Sequence, residues 1–271
     1  MKIRTLTAAI VVVAALALTG CSASGAVPTS GSSTAATGEL AAVQKAGVLT
    51  IGTEGTYRPF TYHDGGSGPL TGYDVDVAKA VAKKLGVKAK FEETQWDAIF
   101  AGLEAHRFDL IANQVSITPE RQAKYEFSKP YTVSTGVIVV KSGNTGIKSF
   151  ADLKGKTVAQ SLTSSFYTLA KQSGANIEAV EGWAQSVANV QTGRVDATIN
   201  DKLTWLDFKK QGEASGLKVA AESPDSSKTA FALAKGGGTL VAAVNTALDE
   251  LRADGTLQKI SIKYFGDDVS K

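Results

Sequence analysis

Gly72-Tyr-Asp-Val-Asp-Val-Ala-Lys-Ala-Val-Ala-Lys-Lys-Leu85 is the stretch on which the fold turns. Asp74 opens a helix, Val77, Val81 and Leu85 recur on one face of it, and Gly86 ends it. A short apolar strand, Val48-Leu-Thr-Ile51, lies upstream, and Lys88 to Glu92 reads as the next strand. Between Ile51 and the helix, residues Gly52 to Gly68 carry Pro59 and the run Asp64-Gly-Gly-Ser-Gly68, which reads as a loop.

The alternation continues in both directions. Leu40, Val43 and Ala46 mark a helix stopped by Gly47, and Ile99, Phe100 and Leu103 mark another before a strand at Phe108–Ala112. After a polar loop the pattern restarts with Val137-Ile-Val-Val140. Ser149 and Asp152, three residues apart, read as a capping box. Strands are expected at Val158, at Ile177–Val180 and at Val195–Ile199, with helices at Phe166–Ala170, around Val187 and Val190, and at Lys202–Lys210. Ala230–Leu233 reads as a last strand, followed by a long helix through Leu240, Val244, Leu248 and Leu251 and a short one ending near Phe265. Strands separated by helices predict parallel sheets covered on both faces, and two such units predict two lobes. Ligands in such folds sit beyond the carboxyl ends of strands. The loops after Ile51, Ala112, Gln160 and Ile199 are therefore the ones to read.

The first residues stand apart from this pattern. Lys2 and Arg4 precede the apolar run Ala8–Leu18, too short to span a bilayer comfortably, and the run ends in Thr19-Gly20-Cys21. This is the layout of an export signal over residues 1–20. Leu18-Thr-Gly-Cys21 also resembles the lipobox of bacterial lipoproteins, which implies a lipid on Cys21 and anchoring without spanning. Residues 21–38, rich in Ser, Gly, Ala and Thr, read as a flexible tether. Cys21 is the only cysteine among the 271 residues, so no intrachain disulfide is possible. Without Lys2 and Arg4, 27 basic residues stand against 26 acidic ones, and there is no long basic run, which leaves nucleic-acid binding little electrostatic support. His63 and His106 are the only histidines. They have no cysteine partner and no spaced carboxylate cluster, so no metal site, cofactor or nucleophile is expected.

The strand-end loops hold the polar residues of interest. In Asn113-Gln-Val-Ser116-Ile-Thr-Pro-Glu-Arg121, Thr118 and Pro119 read as N-cap and first residue of a short helix. Arg121 then lies in its first turn, where a cation opposes the helix dipole and is better tolerated beside an anion. A bound carboxylate would suit it, gripped bidentately, and so would a surface pair with Glu120 or Glu126. Asp201 could meet an ammonium group or cap the Lys202–Lys210 helix. Thr163, Ser164 and Ser165 offer hydroxyls, and Tyr57, Phe60 and Trp96 offer aromatic walls. One Arg, one Asp, hydroxyls and aromatics together suit an α-amino acid.

The Gly72–Leu85 stretch resembles the signature of the polar amino-acid family of solute-binding proteins from ABC importers. The resemblance extends over nearly all of residues 39–271 and includes Gly52-Thr-Glu-Gly-Thr-Tyr57-Arg-Pro-Phe60, Phe108–Arg121 and Gly193-Arg-Val-Asp196. It implies an α/β, two-lobed periplasmic-binding-protein-like (type II) fold, each lobe a sheet flanked by helices, joined by a two-strand hinge. The discontinuous first lobe would take residues 39–132 and 227–271, and the second 133–226. The resemblance implies that Tyr57 stacks on the ligand and Trp96 forms an apolar wall. It places Asn113, Gln114 and Ser116 at the ligand's amino and carboxylate groups, Arg121 on the carboxylate and Asp201 on the ammonium. Ser161 and Ser165 are second-lobe contacts, and Glu54 lies near the ligand side chain. Where many relatives have Gly-Thr, this chain has Thr163-Ser164. The chain looks most like the cystine-binding branch. The implied protein is a monomeric binding lipoprotein on the outer face of the cytoplasmic membrane that serves permease subunits and catalyses nothing. A dehydratase resembling cyclohexadienyl dehydratases would need a placed general acid, for which Glu54 is the one obvious candidate. A sensory lobe would be expected to continue into a further domain.

Overall fold

The structure is a computed structural model and describes residues 38–271. The expected signal, Cys21 and all of the expected tether but Gly38 lie outside the described residues. Among the described residues, no helix is long and apolar enough to cross a membrane.

The chain begins with α1 (Glu39–Ala46), β1 (Val48–Thr53) and two short strands, β2 (Thr56–Tyr57) and β3 (Thr61–His63). Then come β4 (Leu70–Thr71), α2 (Tyr73–Lys84), β5 (Lys88–Glu93), α3 (Trp96–Glu104), β6 (Leu110–Ile111), α4 (Pro119–Lys124) and β7 (Tyr125–Phe127). A second series follows: β8 (Thr132–Lys141), β9 (Thr157–Gln160), α5 (Ser165–Gln172), β10 (Asn176–Ala179), α6 (Gly182–Thr192), β11 (Ala197–Asp201), α7 (Lys202–Lys210) and β12 (Leu217–Thr229). β13 (Ala232–Ala234), α8 (Gly238–Ala253) and α9 (Thr256–Phe265) close the chain. One five-stranded sheet has the order β5-β1-β6-β13-β7, and the other β10-β9-β11-β8-β12. Each sheet with its helices forms one lobe. β13 returns to the first sheet after the second is complete, so the first lobe is built from two separate segments.

The sheets are mixed, which corrects the expectation of parallel ones. β1 pairs in parallel with β5 and β6, but β13 runs antiparallel to β6 and β7. In the second lobe β9, β10 and β11 are parallel, while β8 runs antiparallel to β11 and β12. The reversals arise where the chain passes between sheets without a covering helix. β7 and β12 carry no long apolar run, and the periodicity did not disclose them. The Gly52–Gly68 loop is also more ordered than expected, because β2, β3 and β4 make a small antiparallel sheet. Ser149 and Asp152 form a single 3-10 turn at Phe150–Leu153 rather than a capping box, with the Ser149 hydroxyl donating to the Asp152 carboxylate at 2.9 Å.

Both sheets are apolar on both faces. In β8, Ile138 and Val140 pack with Leu153, Val158 and Ile199, while Val137 and Val139 turn to Val187, Val190 and Trp205. That is the two-residue period of a strand buried on each side. In the first lobe Leu49, Ile51, Val77, Val81, Val244 and Leu248 share one cluster, and Trp96, Ile99, Leu103 and Ile111 another. Each such fully buried aliphatic side chain stabilises the fold by about 1.5–3 kcal/mol. Gly72 opens α2 at φ 132°, and a Cβ there would stand 2.1 Å from the Phe60 carbonyl oxygen. The signature glycine is therefore required by close backbone approach.

The lobes are joined by β8 and β12, paired from Thr132↔Thr229 to Lys141↔Leu217 with two register shifts. A buried polar knot fastens their base. The Gln114 backbone N–H donates to Asp74 at 2.5 Å, and its Nε2 donates to Asp74 and to the Thr132 hydroxyl at 3.0 and 3.2 Å. The Thr229 hydroxyl donates to Gln114 Oε1 at 2.8 Å. One side chain thus ties α2 to both crossing strands. Burial raises the Asp74 carboxyl to about 7 despite these donors.

Candidate ligand-binding site

The carboxyl ends of β1 and β6 set the first wall. The Glu54 N–H donates to Asn113 Oδ1 at 2.9 Å, and Asn113 Nδ2 donates back to Glu54 Oε2 at 2.6 Å. The reciprocal pair locks two strand-end loops together. Burial pushes the Glu54 carboxyl up to about 7; Asn113 opposes this, and the negative charges of Glu181 and Asp97 add to it.

Arg121 occupies the predicted first turn. Thr118 caps α4, its hydroxyl oxygen accepting from the Arg121 N–H at 3.3 Å, with Pro119 next. The guanidinium donates to the Ser116 carbonyl at 3.0 Å and, across to the second lobe, to the Thr163 carbonyl at 2.9 Å. It lies 5.4 Å from the Trp96 ring and 5.2 Å from that of Phe100. It joins no ion pair among the described residues. The surface pairing with Glu120 or Glu126 is therefore not formed, and Glu126 accepts from the Gly236 N–H instead. Burial pulls the guanidinium down to about 10, the mark of a cation short of counter-charge.

The second wall is built of hydroxyls, amides and rings. Gln160 Nε2 donates to the Ile199 carbonyl at 2.8 Å, and Ser161 Oγ accepts from the Gly182 N–H at 3.0 Å. Ser164 caps α5, and the Ser165 hydroxyl donates to Ser116 Oγ at 3.1 Å. Tyr57 donates to Asn200 Oδ1 at 2.7 Å and accepts from the Thr204 hydroxyl at 3.2 Å. Burial, with the nearby Asp201 charge, pushes the Tyr57 hydroxyl well above its ordinary value. Further side chains bridge the lobes: Arg58 to Asp207 at 3.2 Å, and the Thr163 hydroxyl to Asp97 at 2.5 Å. The lobes are closed on one another.

Between the walls lies a cavity with about 590 Å³ of empty space, part of it open to solvent. Glu54, Tyr57, Trp96, Asn113, Gln114, Ser116, Arg121, Ser161 and Ser165 all line it. Asp201 does not. Its Oδ1 accepts from the Leu203 N–H at 2.8 Å and the Ser134 hydroxyl at 2.7 Å, so it caps α7 while its neighbour Asn200 reaches the cavity. Burial raises its carboxyl to about 6. Thr56, Gln160, Phe166, Gly182, Trp183 and Ser186 line the cavity without having been singled out for it. Phe166 reads as helix core from its spacing. The loop after β10, which brings Gly182 and Trp183, obeys the same strand-end rule as the others and would have been found by it. No group of three or more His, Cys, Asp or Glu among the described residues is arranged to hold a metal ion.

Residues 49–267 match the family model described as bacterial extracellular solute-binding proteins, family 3. The L-cystine-binding protein TcyA of Bacillus subtilis is 54% identical over 231 residues, which cover 85% of this chain and 86% of the relative. The crystal structure of the L-cystine solute receptor of Neisseria gonorrhoeae, unliganded and open, is 47% identical with a TM-score of 0.59, covering 87% of this chain and all of that one. An ancestral arginine-binding protein bound to arginine is only 38% identical yet reaches a TM-score of 0.76, over 81% of this chain and 99% of its own. The less similar sequence superposes better, which agrees with the closed lobes seen here. With the family model spanning most of its length, this chain belongs to the family 3 bacterial extracellular solute-binding proteins.

Proposed function

We propose that the protein captures an amino acid, best L-cystine, between its lobes and delivers it to the permease subunits of an ABC importer. The observation that carries this is Arg121: a half-buried guanidinium without an ion pair among the described residues, on the wall of a cavity closed by both lobes. An α-carboxylate is the counter-charge it lacks, and Ser116, Ser161 and Ser165 supply hydroxyls beside it. The ammonium head faces the Asn200–Asp201 end of β11. Asn200 lines the cavity there, and Asp201 supplies negative charge from one layer behind. Tyr57 and Trp96 form the aromatic walls, and Asn113 and Gln114 hold the strand-end loop in place.

Cystine is preferred because TcyA and the gonococcal receptor, the relatives described above, are named for it. In this reading the lobes are residues 39–132 with 227–271 and residues 133–226, and they open about the β8–β12 pair. The monomeric chain is held at the outer face of the cytoplasmic membrane by a lipid on Cys21. Thermal unfolding against single amino acids and cystine tests the ligand. A ligand at a hundred times its dissociation constant adds about 2.7 kcal/mol of stability. A shift with cystine alone is expected. A shift with a different amino acid would replace the ligand, and no shift with any would overturn the reading.

A further inference from the structure

Helix α7 has two working faces, each made of residues one helical turn apart. Trp205 and Phe208 pack with Val137, Val139 and Val187 and fix the helix to its own lobe. Leu203, Thr204 and Asp207 meet the other lobe. Leu203 is 7% exposed and joins the first lobe's core cluster, with Phe60, Val77 and Leu110. The Thr204 hydroxyl donates to Tyr57 at 3.2 Å, and Asp207 accepts from Arg58 Nε at 3.2 Å. Tyr57 and Arg58 are consecutive residues at the end of β2. One turn of α7 thus docks on one dipeptide of the first lobe.

Arg58–Asp207 is the one ion pair among the described residues that joins the two lobes. Both partners are prepared for it. The Arg58 guanidinium lies 4.0 Å from the centre of the Tyr62 ring in its own lobe, so its orientation does not depend on Asp207. The Asp207 side chain is only 11% exposed where the lobes meet, which shields the pair from solvent more than an ordinary surface bridge. A donor already held in place loses less conformational freedom when the contact forms. Arg58, Leu203, Thr204 and Asp207 do not line the ligand cavity. These contacts therefore need no ligand atom. They reach the cavity only through Tyr57, whose hydroxyl is held by Asn200 and Thr204 while the residue lines the cavity.

We propose that α7 is a ligand-independent clasp, in which Arg58 and Asp207 are positioning residues that hold the lobes closed and set affinity without touching the ligand. The proposal rests on the reading that the cleft opens to take its ligand. Burial of Leu203 and the bonds of Thr204 and Asp207 stabilise the closed form whether the cleft is loaded or empty. The fraction of protein with its site assembled then scales the apparent affinity. Closing on α7 also fixes Tyr57 on the cavity wall before a ligand does.

The test measures shape without ligand and affinity with it, on the purified protein. Small-angle X-ray scattering of the ligand-free protein should report a compact, closed form. Asp207→Arg sets two cations against each other and should expand that form. The swapped variant Arg58→Asp/Asp207→Arg restores the pair in reverse and should recover the compact form and most of the affinity, a rescue that general loss of structure would not give. Calorimetric titration with L-cystine should show binding about tenfold weaker in Asp207→Arg. Arg58→Gln and Asp207→Asn should each weaken it about twofold to fivefold, and the double variant no more than either alone, because both break one contact. Scattering that coincides for the parent and Asp207→Arg overturns the clasp. So do losses in Arg58→Gln and Asp207→Asn that add, or a defect that the swap leaves in place. Scattering that changes as expected while no variant binds cystine upholds the clasp and overturns the proposed ligand.

Discussion

The two walls of the cleft are built on different principles. The first wall is charged and internally braced: Glu54 and Asn113 lock each other, Gln114 is held by Asp74, and Arg121 is tied to the Ser116 carbonyl. The second is assembled from three separated segments, Gln160–Phe166, Gly182–Ser186 and Asn200, and offers hydroxyls, two amides and rings. A braced wall with a charge lacking its partner can set ligand identity before closure, because its donors are already oriented. A wall of small groups completes the enclosure once the lobes meet. Oriented donors and the charge without a partner thus stand on one side, and the small groups that complete closure on the other.

That asymmetry can be broken by mutation. The largest expected effect is at Arg121. Arg121→Ala should weaken ligand binding by about 2–5 kcal/mol, the usual cost of removing one partner of a buried charge pair. The unliganded protein should melt little lower, because the two carbonyl hydrogen bonds lost are offset by removing a partly desolvated cation without a counter-ion. Calorimetric titration beside a thermal melt separates the two effects. Asp201→Ala should cost about 1–2 kcal/mol of stability in urea unfolding, through loss of the α7 cap. Asp201→Asn keeps a capping acceptor and should restore that stability. A weaker affinity in Asp201→Asn would mark the charge as acting on the ammonium, and an unchanged affinity would leave it a cap only.

Ser165→Ala, on the second wall, should cost only about 0.5–1.5 kcal/mol of affinity, one hydrogen bond across the cleft. A loss as large as that of Arg121→Ala would erase the contrast between the walls. The smallest effect expected is on the unliganded protein's pH response. Glu54 and Asp74 are raised to about 7 and Asp201 to about 6. These carboxyls keep their protons to higher pH folded than unfolded. The stability they contribute is full below the unfolded values near 4 and is lost as pH rises through 6 to 7. The melting temperature should therefore fall by a few degrees between pH 5 and pH 8.

The same asymmetry governed what could be read in advance. The first wall was legible because its residues are chemically conspicuous and directly follow the apolar strands β1 and β6. Thr118-Pro119 places Arg121 in a helical turn from the sequence alone, and α4 bears this out. The second wall was half legible. Ser161 and Ser165 stood out, but Gly182 and Ser186 are small, and Phe166 and Trp183 carry no signal that separates a cavity wall from a core. Asp201 shows a further limit. A carboxylate at a strand end before a helix satisfies the pattern of a ligand and of a cap alike, and only the Leu203 and Ser134 hydrogen bonds reveal the cap. In the fold, α2, α7 and α8 followed from periodicity and stop signals. The mixed direction of both sheets did not, because β12 alternates weakly and its pairing with β8 is a long-range choice made by the whole lobe.

In the proposed function the closed cleft grips a zwitterionic amino-acid head through Arg121, which joins no ion pair among the described residues. Its most direct test is titration of L-cystine against cystine dimethyl ester into the purified protein. Cystine is expected to bind, and the ester, its carboxylates neutralised, to bind at least about tenfold more weakly. An ester that binds as tightly as the free acid would contradict it.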